Sequence, residues 1–171
     1  KAKNSMGSIK SIYFKMLKIV AMTSFTFLFL YLFLSVQNKA VINSIFNKPD
    51  AFNLVFKSFA VLIFFTSTML NIDTIRAIEK TMMSELYRNI FRSIPVFIGA
   101  VVLFFTNRQD LIVDVYLAGF FILSVISSIH VLLSFKKGSY TQKNILSYTT
   151  KEILKVSTPM AISAMAYFVM Q

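Results

Sequence analysis

The chain contains no cysteine, which excludes disulfides and thiolate metal sites and leaves the redox compartment unread. It has one histidine, His130, and no His, Asp or Glu cluster at metal-ligand spacing, so no metal is expected. Its four glycines build no phosphate-cradling loop, and no loop with clustered Asp, His or Arg is present for catalysis. These absences argue against an enzyme and against any cofactor. Acidic residues are scarce, seven against 18 basic ones, and tryptophan is missing altogether while Phe accounts for 19 residues.

Apolar residues dominate what is present. They make up 56% of the 171 residues, above the roughly 45 to 50% of soluble domains, and charged residues are only 15% against about 25%. The apolar positions come in blocks, and a bilayer-crossing helix needs about 20 of them. The fold class expected is all-α, a polytopic membrane protein. In a soluble protein a formal charge of +11 would point to nucleic acid. Here the basic residues flank apolar runs instead of forming one patch, so membrane topology accounts for them and no nucleic-acid partner is expected.

Five spans are predicted, at about 16–36, 51–72, 90–107 and 111–135 and from 149 onward. Lys1, Lys3, Lys10, Lys15 and Lys18 precede the first, on a segment where Ile9, Ile12, Tyr13 and Met16 recur at helical spacing. That segment reads either as a basic amphipathic helix lying on anionic membrane lipid or as a topology signal leading into the span. Ile19 to Val36 carries no charge. An interfacial turn is expected around Val41 to Phe46, with Asp50, after Pro49, capping the second helix. Inside that helix stands Lys57, which either snorkels to the outer headgroups or faces a polar cavity.

The polar stretch Asn71 to Ser93 reads as a cytoplasmic connector holding Arg76, Lys80, Arg88 and Arg92. Asp73 and Arg76 are spaced to pair, and Glu85, Arg88 and Arg92 share a helical face. One reading is a cationic mouth for a phosphate-bearing ligand, because arginine forks match phosphate oxygens. The other is the positive-inside bias alone. The third span has only 15 uncharged residues, Ser93 to Asn107, so Arg92 and Arg108 are expected to snorkel from its two ends, with Pro95 near its start. In the fourth span Asp114 sits near the outer end, Gly119 allows close helix approach, and His130 is either a satisfied polar ring or a coupling group. Lys136, Lys137 and Gly138 suit its C-terminus. Thr149 and Glu152 fit a capping box, and Pro159 should kink the helix that the box opens. Basic residues number 5, 3, 4, 1 and 5 along the successive loops, the alternation that five spans starting in the cytoplasm require. Both chain ends read as those of an internal piece of a longer protein.

The stretch Ile153-Leu154-Lys155-Val156-Ser157-Thr158-Pro159, followed by Ala161-Ile162-Ser163-Ala164, resembles the opening of the seventh helix in oligosaccharide flippases of the multidrug/oligosaccharidyl-lipid/polysaccharide exporter superfamily. The connector with Arg76, Lys80, Arg88 and Arg92 is similar to that family's link between helices four and five, although Ser93-Ile94 stands before Pro95 where Arg-Pro is commoner. The resemblance implies helices three to seven of a two-lobe transporter of twelve or more: residues 1–148 from the first lobe and 149–171 opening the second. It also implies alternating-access export of lipid-linked oligosaccharide units across the bacterial inner membrane, for O-antigen or exopolysaccharide synthesis. Its implied partners are the pyrophosphate-headed lipid-linked oligosaccharide, membrane lipid and polysaccharide-assembly proteins. Lys57, Arg76, Arg88 and Arg92 become substrate-path candidates, and Asp114 and His130 coupling candidates. A cation-coupled drug exporter of the same superfamily, which would want acidic residues deep in the lobe, is the alternative; a membrane enzyme or subunit is a more distant one.

Overall fold

A computed structural model describes residues 6–46, 51–107, 111–137, 149–155 and 158. The described residues are helical with no strand: α1 (Met6–Phe46), α2 (Ala51–Ala77), α3 (Thr81–Glu85), a π-helical segment (Leu86–Phe91), α4 (Ile94–Thr106) and α5 (Ile112–Lys137). Four stretches, Met6–Phe33, Phe52–Ala77, Thr81–Thr106 and Ile112–Lys136, are long and apolar enough to cross a membrane. Phe97, Phe104 and Phe105 are 71%, 68% and 79% exposed, an apolar surface suited to lipid and not to water. Among the described residues the chain is all-helical, with four helices suited to crossing a membrane. A fifth span, its Pro159 kink, and the expected features at Asp50, Arg108 and Gly138 lie outside the described residues.

Two boundaries differ from the sequence reading. No glycine or proline interrupts 8–46, and the basic segment runs straight into the first span as one helix of 41 residues, or about 60 Å. It does not lie as a separate interfacial helix, and Val41 to Phe46 belongs to the same helix. The Asn71 to Ser93 connector also shrinks. Helix α2 continues to Ala77, and the chain turns within Ile78–Lys80 before α3 begins. Glu79 adopts φ 64°, its amide donates to the Arg76 carbonyl at 3.0 Å, and the Lys80 amide donates to the Ile75 carbonyl at 3.2 Å. That pair of bonds is a Schellman closure, made here with a glutamate where glycine is usual.

Partner spacing gives the topology. Bonds between α2 and α5 join residues 56 or 57 apart at both ends of the helices, so these two run parallel. Tyr31 reaches Phe52 while Tyr13 reaches Asn71, so α1 runs antiparallel to α2. Helix α2 therefore packs between α1 and α5, and α4 packs on α5. Gly99 and Gly119 set that last contact: a Cβ on Gly99 would stand 1.8 Å from Val115 Cγ1, and one on Gly119 2.8 Å from Pro95 Cβ. The close approach expected at Gly119 is present. Most of the buried apolar core, including Tyr13, Ile72, Ile75, Tyr87, Val131 and Phe135, gathers at the end that holds the 78–80 turn. We refer to this as the inner end, following the charge bias.

Residues 150–155 are helical, and the Thr149 amide donates to Glu152 Oε2 at 2.7 Å, as the capping box requires. The reciprocal bond differs, because the Thr149 hydroxyl donates to the same carboxylate at 2.6 Å. These two bonds hold the Glu152 carboxyl below its ordinary pKa. The cap is thus fully made above the usual carboxylate range and is lost as pH falls through that lowered value.

Candidate functional site

Three of the four cationic candidates are neutralised by carboxylates. Lys57, in the second turn of α2, meets Asp114, in the first turn of α5, with Nζ to Oδ1 at 2.5 Å. Because α2 and α5 are parallel, residues near both N-termini fall at one level, and the lysine joins the helices at their outer ends. Asp114 is thereby engaged in an ion pair. Arg76 pairs with Glu85, and Arg88 Nη2 donates to Asp73 Oδ1 at 2.9 Å. The local Asp73 and Arg76 pair expected from spacing is replaced by two crossed pairs between α2 and the third span. Folding the connector into two antiparallel helical ends brings residues nine and fifteen apart closer than those three apart.

Arg92 is the exception. Its guanidinium lies over the rings of Phe65 and Phe120, 5.6 and 5.8 Å from their centroids, and it has neither ion pair nor hydrogen bond among the described residues. Phe65 stands midway along Phe52–Ala77, and Phe120 is buried. The charge therefore sits level with the middle of α2 instead of reaching back to the inner edge. The third span begins at Thr81, eleven residues before Arg92, which carries that arginine inward from the boundary that the uncharged run suggested. Pro95 offers no amide to the Phe91 carbonyl, and the helix widens into the π-segment just before it. A crevice of about 620 Å³ opens beside Arg92, with Arg88, Asn89 and Ser93 also on its wall.

A charged side chain at the centre of a membrane helix costs about 2.5 to 3.5 kcal/mol on the insertion scale. Ring contacts of this kind offset roughly 0.5 to 2 kcal/mol. An anion in the crevice would supply the rest, with two arginines on one wall to meet it.

Two polar groupings escaped the sequence reading. Asn71, fully buried, accepts a bond from Tyr13 Oη at 2.8 Å and donates to Ser127 and Ser128 Oγ at 2.9 Å each. This one amide links α1, α2 and α5. The signal was available in α5, where Ser124, Ser127, Ser128 and Ser134 recur at helical spacing inside an apolar run. The second grouping surrounds His130. Its Nδ1 is 3.2 Å from Tyr87 Oη, and Lys80 Nζ lies 3.5 Å from Nε2 while donating to Ser134 Oγ at 2.9 Å. An ammonium that donates to Nε2 leaves the ring hydrogen on Nδ1, directed at Tyr87. Both ring nitrogens of His130 thus have a polar neighbour.

No cluster of three or more His, Cys, Asp or Glu residues stands together among the described residues. Protein-family models, curated proteins and solved structures were all compared with this chain, and none matches.

Proposed function

We propose that this chain is part of a membrane transporter that moves an anionic, lipid-linked oligosaccharide across the bacterial inner membrane without catalysing a covalent step. The observation that carries the reading is Arg92: a cation at mid-depth, held toward the bundle by two phenylalanine rings and unmatched by any carboxylate among the described residues. A pyrophosphate headgroup crossing a bilayer needs such a charge on its path, because the hydrocarbon offers it no solvation. Arg88 shares the crevice and releases Asp73 if it turns to the same anion. The cation-coupled drug exporter is less well supported, because the acid it would use, Asp114, is already paired with Lys57.

The test compares Arg92→Gln with Arg92→Lys in the complete transporter, measuring translocation of labelled lipid-linked oligosaccharide at matched protein level. Losing one charged hydrogen-bonding partner is worth about 1.5 to 3 kcal/mol, so Arg92→Gln should lower export about tenfold or more. Arg92→Lys, which keeps the charge but not the fork, should retain part of it. Wild-type export in both variants would overturn the assignment.

A further inference from the structure

We infer that the groove between the third span and α5 binds one acyl chain of an anionic glycerophospholipid, with the lipid phosphate held at the inner end by Lys80. The groove has a volume of about 560 Å³ and is walled by apolar side chains, among them Ile94, Ile98, Ala118, Ile122 and Ile126, with Tyr87 at its inner end. It shares no lining residue with the Arg92 crevice. From Tyr87 to Gly99 it follows twelve residues of helix, about 18 Å, starting six residues inside the beginning of the third span at Thr81 and running past the level of Arg92.

Chemistry changes at the inner end. Ile122, Ile126, His130 and Ser134 succeed one another at four-residue intervals along α5, so the groove floor leads onto the His130 grouping. Tyr87 belongs to both, lining the groove and reaching His130 with its hydroxyl. Lys80 stands over this end, is exposed, and among the described residues meets His130 and Ser134 but no carboxylate. An apolar slot whose inner end lies beneath an ammonium without a carboxylate among the described residues, flanked by hydroxyls, matches an anionic phospholipid in its charge at one end and its apolar wall beyond. Basic positions between helices on the cytoplasmic side hold anionic headgroups by this combination. The alternative occupants, another helix of the same protein or a second copy of this chain, would fill the slot but leave the ammonium unmatched. The inference requires the membrane orientation and not the transport reading.

The experiment places the full chain in nanodiscs of equal parts phosphatidylglycerol and phosphatidylcholine and counts co-purifying lipids by native mass spectrometry. Wild type should retain phosphatidylglycerol over phosphatidylcholine about fivefold, the factor that one lysine near a membrane phosphate confers. Lys80→Gln should abolish that preference and Lys80→Arg restore it, with helicity unchanged. Ala118→Phe, at an exposed position of the groove wall, should remove the retained lipid of both kinds. Equal retention of the two lipids by wild type would overturn the inference, as would an intact preference in Lys80→Gln. So would disulfide-linked dimers of Ala118→Cys at high yield, which would assign the groove to a second copy.

Discussion

Replacing Asn71 with Ala should be the most damaging single change among the polar residues. The substitution removes three interhelical hydrogen bonds, one from Tyr13 and two to Ser127 and Ser128. In membrane proteins such bonds average about 0.6 kcal/mol and reach roughly 1.7, so three of them amount to about 2 kcal/mol. A void of more than methyl size adds about 1 kcal/mol. The loss will not be shared equally. Ser127 already donates to the Ser124 carbonyl at 3.1 Å and keeps that bond, whereas the buried Tyr13 hydroxyl is left with the Ser128 side chain alone. Reversible unfolding in mixed micelles, followed by circular dichroism, should therefore give a deficit of about 3 kcal/mol for Asn71→Ala, and a coupling of roughly 0.6 to 1.7 kcal/mol in a cycle with Tyr13→Phe. Asn71→Leu combined with Tyr13→Phe should recover most of the loss, because it removes donor and acceptor together while filling the space. A deficit below about 0.5 kcal/mol for Asn71→Ala, or strict additivity with Tyr13→Phe, would refute the claim that this amide organises the inner core.

Two other substitutions separate pairing from backbone geometry. Lys57→Gln should destabilise the outer ends by about 0.2 to 1 kcal/mol, the range for a half-exposed pair, and Lys57→Asp with Asp114→Lys should restore wild-type thermal stability; failure of the exchange would show that Lys57 acts alone. Glu79→Gly should raise stability by about 0.5 to 1 kcal/mol in the same unfolding assay by relieving the left-handed backbone, whereas Glu79→Ala should not. Equal effects of the two would mean that the turn is not strained.

Apolar runs made the spans legible, because a bilayer demands roughly 20 such residues whatever their neighbours. Helix ends were less so. The stretch Asn71 to Lys80 looks polar along the chain, yet Asn71, Ile72, Thr74, Ile75 and Ile78 are buried, since a helix presents these positions to its neighbours and Asp73 and Arg76 to the other side. Hydropathy averaged along a sequence does not see faces. The third span illustrates the same limit: Glu85, Arg88 and Arg92 shortened it in the sequence, but partners on α2 and aromatic rings admit all three into a helix that starts at Thr81.

Class and charge asymmetry followed from the sequence by itself, because both are sums over residues: apolar blocks specify helices long enough to cross a membrane, and the 18 basic residues are distributed unevenly between the segments that join them. The identity of each charge's partner was a matter for tertiary structure. Lys57 meets a carboxylate 57 positions away, Arg88 meets one 15 away, and Arg92 meets two rings and, among the described residues, no carboxylate. Pairing depends on which helices run parallel and where the turns close, and neither is encoded by spacing along one helix. The left-handed Glu79 and the close contacts that Gly99 and Gly119 make between α4 and α5 set those relations, and so determine which of the cationic candidates has no carboxylate beside it among the described residues.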